Sequence, residues 1–502
     1  MIELSGSALS LEQIASVAAG KSGVRLSSGA ARHMRATRAV VEKLLSRGEV
    51  VYGVNTGFGK LADIRVPDAE LDALQKNLVR SHACGLGTPL SEQETRALML
   101  LRANVLALGA SGCRVELVKT LLAMLDAGVH PMIPEKGSVG ASGDLAPLAH
   151  LALSMIGEGE SFYDGHLVGG GEALRAAGIK PVRLAAKEGL ALLNGTQAMV
   201  AVGGLALLRG LRVAALSDLS GAMSLEALRG TPVAFDSRIH AARPHQGQQA
   251  AAAHLRNLLK GSEIRRSHLA NDPRVQDAYS LRCMPQVHGA VRGALEHVRQ
   301  IVEVESGSAT DNPLVFAGSE EILSGGNFHG APLALAYDYA AIALTDLMSI
   351  AERRIDRLIN PDLNEGLPAF LSAHPGKSSG FMIAHVSAAA LLNESRVFAH
   401  PASTDSVPTS GGKEDHVSMG MTSATKLRRI VENAEHVVAI ELMAAAEGLD
   451  YRLPLRSSKP IERARELIRS SVPRLTADRS LSRDIQAISL AVRQGDFDEF
   501  TR

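Results

Sequence analysis

The chain of 502 residues has no tryptophan, three cysteines, and an aromatic content of only 3%. A core without aromatic bulk must be built from Leu, Ala, Val and Ile, which suits helices packed through small side chains better than aromatic-rich sheets. Cys84, Cys113 and Cys283 are too few and too scattered for a disulfide framework or a zinc site, so a reduced, cytoplasmic compartment is expected. Neither sign of charge is in excess: 53 Lys and Arg stand against 53 Asp and Glu, so no global field draws the chain to nucleic acid or to an anionic membrane. The first twenty residues lack a basic segment followed by an apolar one, so no secretory signal is expected there. The most apolar long stretch, 332–350, carries Asp338 and Asp346, which argues against a membrane span.

What the chain does have is glycine and helical periodicity. Its length exceeds one ordinary core, so two large regions are expected. Residues 1–197 read as a loop-rich head, with glycine loops such as YGVNTGFGK from Tyr52, SHACGLG from Ser81 and LLNGTQ from Leu192. Short apolar runs in the head, EVVYGV and FYDGHLVGG, read as small strands or hairpins. Residues 198–502 read as a bundle of long helices with further loops between them. In it, 198–228 is a nearly unbroken Ala/Leu/Gly-rich helical run. Val287, Ala290, Val291, Ala294, Leu295, Val298, Ile301 and Val302 form one apolar stripe, and Ile430, Ala434, Val437, Val438, Glu441 and Leu442 mark another helix that Gly448 can end. The fold class is therefore mainly α, with a few short strands in the head.

Two familiar loop chemistries fail on spacing. In GVNTGFGK, five residues separate Gly53 from Gly59, and Leu61 stands where a phosphate loop needs Ser or Thr for magnesium. The stretch GSVGASGDLAPLAH, 137–150, lacks the G-x-S-x-G spacing of a hydrolase nucleophile elbow. Asp144 there reads as an N-cap for a helix starting at Leu145, with Pro147 tolerated in the first turn. No H-x-x-x-H or H-E-x-x-H spacing supports a metal centre on His240, His245 or His416, so no metal is expected.

A third chemistry fits Ala141-Ser142-Gly143. Glycine lets its backbone nitrogen approach the carbonyl two residues earlier. Attack of Gly143 N on the Ala141 carbonyl with loss of water closes a five-membered ring, and loss of a second water from Ser142 leaves an exocyclic methylene. The product, a 4-methylidene-imidazol-5-one, is an electrophile that needs no external cofactor. Ala-Ser-Gly alone is too common to establish it. Its context resembles the signature of the aromatic amino-acid ammonia-lyases, and the resemblance continues in order through YGVNTGFG, NLVRSHACGLG, AAKEGLALLNGTQ, QDAYSLRCMPQVHG, SATDNPLVF, SGGNFHG and EDHVSMG. It covers nearly the whole chain and implies a fumarase/aspartase-like helical bundle, assembled as a homotetramer with active sites shared between subunits.

Within that family, KEDHVSMG resembles the members that act on histidine, whereas those acting on phenylalanine or tyrosine carry a form like NQDVVSLG. Gly411-Gly412-Lys413 just before it resembles a variable stretch. A substrate imidazole needs its donor and acceptor satisfied, and a carboxylate at Glu414 can take its N–H; a phenyl ring would leave that carboxylate buried and unpaired. The resemblance thus implies deamination of L-histidine to trans-urocanate and ammonia, the opening step of histidine degradation, with a tyrosine or phenylalanine lyase or an aminomutase as the alternative. A ring-less scaffold of the same fold is disfavoured by the intact Ala141-Ser142-Gly143. Tyr52 resembles the family's base for the β-proton, and Tyr279 a second phenol near the ring. Arg282 would grip the substrate carboxylate bidentately. Asn194 would hydrogen-bond the ring carbonyl or that carboxylate, Gln276 and Phe328 would lie near ring and substrate, and His82 with Glu414 would hold the imidazole. Lys187 and Glu188 belong to the resemblance as structural residues.

Overall fold

A computed structural model describes residues 1–57, 64–270, 272 and 274–501. The part of the Tyr52 glycine loop holding Gly59, Lys60 and Leu61 lies outside them. Among the described residues the chain is mainly helical, with strands of two to four residues confined to four small sheets. It divides into two compact units that interleave in sequence: Met1–Leu205 with Arg299–Asp338 and Pro401–Thr425, and Ala206–Val298 with Tyr339–His400 and Lys426–Arg502. The first break falls close to residue 198, where the texture of the sequence changes. Two later segments, Arg299–Asp338 and Pro401–Thr425, belong to the same unit.

The N-terminal unit is organised around the helix Glu92–Ala107, which is buried on nearly all sides from Glu94 to Ala107. A helix apolar all round belongs in a core. Ser91 starts it with a capping box to Glu94, and Ser10 does the same with Gln13 for Leu11–Ala18. The expected hairpin in FYDGHLVGG is present as Glu160–Tyr163 paired antiparallel with His166–Gly169. EVVYGV, by contrast, is no strand: residues 52–54 form a turn, closed by hydrogen bonds from Val54 N and Asn55 N to Val51 O. Its apolar side chains pack singly, Val54 into a small core with Val40, Val41 and Val315. Strand-like composition without a pairing partner produces a turn.

Four long helices, Gln197–Ala227, Met284–Ser306, Ala331–Ile359 and Gly420–Asp450, form the bundle expected from the apolar stripes. In the second unit, Leu216, Leu219, Val291, Leu295, Leu344, Leu347, Val437 and Val438 are buried. Helix Gly420–Asp450 does not stop at Gly448. A Cβ at Gly448 would lie 2.9 Å from the Ala227 side chain, so this glycine permits close helix approach rather than ending the helix. Gln197–Ala227 and Ala331–Ile359 are long and apolar enough to cross a membrane by length and composition alone, but two-thirds of the most apolar window of each (67%) is buried within the protein, as in core helices. Asp338 is itself buried and accepts from Ser403 N at 2.8 Å.

Buried charge also shapes the second unit. Arg354 and Glu441, both fully buried, form a two-pronged pair at 2.5 and 3.0 Å. Ser220 Oγ and Ser224 Oγ donate to the same carboxylate. Arg354 Nη1 also faces His288 Nε2 at 3.3 Å, while His288 Nδ1 donates to Asp218 at 2.7 Å. Asp218 takes two further contacts, from His254 and Arg292. Burial works against its ionised form, yet these partners hold its carboxyl well below the ordinary range.

Candidate active site

The loop 137–144 is clamped by other segments of the N-terminal unit. Gly330 N and Ser418 Oγ both donate to Gly140 O, at 3.0 and 2.9 Å, and Met419 N donates to Val139 O at 2.8 Å. Asp144 N donates to Gly195 O at 2.6 Å. Two glycines are required by this clamp. Gly140 and Gly143 have φ of 69° and 73°; a Cβ on Gly140 would sit 2.2 Å from Ser418 Oγ, and one on Gly143 2.2 Å from Gly195 O. The Ala141-Ser142-Gly143 turn is therefore held in a conformation that ordinary side chains would block.

Asp144 occupies the N-cap position of Leu145–Met155, but its side chain does not cap that helix. It accepts instead from Met199 N at 2.8 Å, in the first turn of Gln197–Ala227, and from Ser138 Oγ at 2.9 Å. The carboxylate thus serves the start of a different helix, one more than fifty residues away in sequence, and favourably meets its positive dipole end. Burial is the strongest influence on its pKa and raises it to about 7, against those hydrogen bonds. A raised carboxyl pKa favours the fold while the group is protonated, and that contribution is lost as pH rises from its ordinary 3.8 through about 7. Denaturant titrations across that interval should show the wild type losing stability relative to Asp144→Asn as pH rises. Parallel pH profiles would refute this assignment.

Above the loop lies a cavity of about 920 Å³. Of the residues expected at the site, Tyr52, His82, Ala141, Ser142, Asn194, Phe328 and Glu414 line it, and Gly143 is buried beside them. Ser142 Oγ donates to Glu414 Oε1 at 2.6 Å. Thr409 Oγ1 and Ser410 Oγ donate to Glu414 Oε2 at 2.6 and 2.9 Å. Burial pushes the Glu414 pKa up, but the three hydroxyls and the His82 imidazole more than offset it and leave the carboxyl below its ordinary value. His82 Nδ1 lies 2.8 Å from Leu78 O, a pure acceptor, so Nδ1 carries a proton and Nε2 is left for a further partner.

Asn194 is buried at the end of the helix Glu188–Leu193, where its Nδ2 donates to Asn312 O at 3.1 Å. Arg102, fully buried, donates to the Asn194 carbonyl at 2.7 Å and fixes that turn. Lys187 pairs with Asp311 at 3.1 Å, both fully buried, and Glu188 receives Arg114. These contacts join the LLNGTQ and SATDNPLVF motifs behind the cavity.

Gln276, Tyr279 and Arg282 belong to the other compact unit and are not among the residues lining this cavity. Tyr279 is 69% exposed, and the Arg282 guanidinium stacks over its ring at 4.5 Å from the centroid. Among the described residues, Arg282 Nε is buried without a hydrogen-bond partner.

Sequence reasoning did not single out His329 or Asn312 as cavity residues, although SGGNFHG and SATDNPLVF both pointed to their neighbourhoods. His416, read as part of the KEDHVSMG motif and weighed as a metal ligand, stacks on His329 with ring centroids 5.7 Å apart at the cavity edge. Nothing local in the sequence signals that pairing, because 86 residues separate the two rings.

The family model for aromatic amino acid lyases matches residues 9–470. A histidine ammonia-lyase of Myxococcus xanthus is 55% identical, over 99% of this chain and 97% of its own length. The crystal structure of the Trypanosoma cruzi histidine ammonia-lyase superposes with a TM-score of 0.93 at 44% identity, covering 100% of this chain and 94% of that one. The tyrosine aminomutase of Streptomyces globisporus superposes with a TM-score of 0.94 at 39% identity, covering 99% and 98%. Backbone likeness therefore does not distinguish these activities; the side chains in the cavity must.

Proposed function

Because the chain belongs to the aromatic amino acid lyase family, we propose that this cavity eliminates ammonia from L-histidine to give trans-urocanate, and so opens histidine degradation. The observation that carries the proposal is the placement of His82 and an ionised Glu414 in one cavity with Ser142. The carboxylate offers an acceptor for the imidazole N–H, and His82 offers a second polar partner to the same substrate ring. A phenyl or phenol ring would leave the carboxylate desolvated with a poorer partner or none.

The Ala141-Ser142-Gly143 turn fits the ring expected from it. Gly143 is held in the left-handed conformation by Gly195, and its N–H, the nucleophile for cyclisation, makes no hydrogen bond among the described residues. Once present, a 4-methylidene-imidazol-5-one supplies an electrophilic methylene that makes the substrate amine a better leaving group. The protein then has to remove the β-proton, which is otherwise very weakly acidic. Tyr52, lining the same cavity, is the proposed base. The His82 imidazole and the Glu414 carboxylate fix the substrate ring so that its β-carbon faces that phenol. Asn194, its backbone pinned by Arg102, offers an amide toward the ring carbonyl or the substrate carboxylate.

Tyr279 and Arg282 complete the proposal as residues delivered from another subunit of a homotetramer. Support comes from their absence from the cavity lining and from the exposure of Tyr279. A side chain with such exposed apolar surface, stacked with an arginine whose Nε lacks a partner among the described residues, suits an assembled interface. A cytoplasmic setting belongs to the same proposal, supported by three free thiols.

His82→Leu tests the substrate assignment. It removes a polar partner of the imidazole, so the kcat/KM preference for histidine over phenylalanine should fall by about 10²-fold, the worth of a hydrogen bond to a charged or buried group. An unchanged preference would move the specificity away from His82 and reopen the tyrosine, phenylalanine or aminomutase reading.

A further inference from the structure

We propose that Glu414 acts first on its own chain: it carries the proton that completes dehydration of Ser142, before it ever meets substrate. This rests on the reading of Ala141-Ser142-Gly143 as the precursor of the electrophile. The geometry that points to it is direct. The uncyclised chain places Ser142 Oγ 2.6 Å from Glu414 Oε1, and that hydroxyl is the group the second dehydration must expel. Of the hydrogen-bond contacts to the Ser142 hydroxyl among the described residues, only this one is to an ionisable group.

Hydroxide is a poor leaving group, so its departure needs a proton at Oγ, and the Ser142 Cα must lose one. A single carboxylate can serve both demands. After Gly143 N has bonded to the Ala141 carbonyl carbon and the first water has gone, Glu414 takes the Cα proton. The electron pair of that C–H bond becomes the Cα=Cβ bond, the Cβ–Oγ bond breaks, and the departing oxygen receives the proton from Glu414 to leave as water. The carboxylate ends as it began, and no outside reactant is required.

The other oxygen of Glu414 is suited to this role because it is anchored. Thr409 and Ser410 hold Oε2 at 2.6 and 2.9 Å, and Thr409 N donates to Glu414 O at 2.8 Å, with residues 409 and 414 bridging across the loop. The carboxylate is thereby presented with Oε1 toward Ser142. Thr409 and Ser410 are positioning residues in this scheme.

Intact-protein mass tests the proposal without any assay of turnover. Wild-type protein should weigh two waters less than its sequence. Glu414→Gln, folded by circular dichroism and melting, should stop at the loss of one water or none, and should lack the ultraviolet absorbance of the finished ring. Thr409→Val, which leaves the carboxylate in place but loosens it, should yield a mixture that matures over hours, with the one-water species decaying into the two-water species. Complete loss of two waters in Glu414→Gln, on the same timescale as wild type, would overturn the proposal. A wild-type protein that loses two waters yet leaves histidine untouched would instead defeat the substrate assignment and leave this one standing. A wild-type protein that loses no water would defeat the ring reading itself, and this proposal with it.

Discussion

Ser142→Ala should lower turnover of histidine by at least about 10³-fold, about 4 kcal/mol of transition-state stabilisation, while leaving the fold intact. The reason is chemical rather than steric. Alanine keeps the turn, the Gly143 conformation and the cavity, since only Oγ is removed from a side chain whose hydrogen bond goes to Glu414. It removes the one oxygen whose expulsion creates the methylene. Cyclisation between Ala141 and Gly143 remains available, so the variant should weigh at most one water less than its sequence. Without the methylene, the substrate amine has nothing to bond to, and the β-proton keeps its ordinary reluctance to leave. Substrate binding through His82 and Glu414 should survive in part, so the loss falls on kcat far more than on KM. A variant that retained a tenth of wild-type kcat would show that the amine is activated by some other group.

The second large effect concerns stability. Arg354→Met should destabilise the protein by about 3–5 kcal/mol, read by denaturant unfolding, because it strands the Glu441 carboxylate in a fully buried site. Ser220 and Ser224 would remain as donors to Glu441, but neither hydroxyl carries a compensating charge. His288 would also lose the donor facing its Nε2. Replacing both members of the pair, Arg354→Met with Glu441→Leu, should recover much of the loss, since a buried ion pair can often be exchanged for apolar packing at little net cost. If the double variant were as unstable as the single one, the network's worth would lie in its links to His288 and the two serines rather than in the pair itself.

These two cases differ in how far the sequence discloses them. The Ala141-Ser142-Gly143 turn was legible because it involves three adjacent residues, and the glycines around it satisfy a local backbone demand. Glu414 and His82 were legible through the motifs that carry them. The Arg354–Glu441 pair was not. Glu441 falls within an apolar stripe and was read as part of it, and Arg354 lies 87 residues away on another helix. Only packing brings the two together, and no local pattern of charge records it.

Asp144 shows the same limit from the other side. An acid just before a helix is a sound capping signal, yet its carboxylate turned to the start of Gln197–Ala227, where an open N–H at Met199 lay within reach. Gly448 likewise marked a helix end by type, but the demand it meets is contact with Ala227 on a neighbouring helix. The long helices themselves were readable because a wide apolar face must be buried, whatever covers it. Boundaries and polar partners depend on which surface arrives to do the covering.

The central claim is that Ser142 is the source of an electrophile that acts on histidine. The most direct measurement is an ultraviolet time course on purified protein with histidine, phenylalanine and tyrosine in parallel, run beside Ser142→Ala. Urocanate should appear from histidine alone and vanish in the variant. Cinnamate or coumarate in place of urocanate, or equal turnover with Ser142→Ala, would contradict the account.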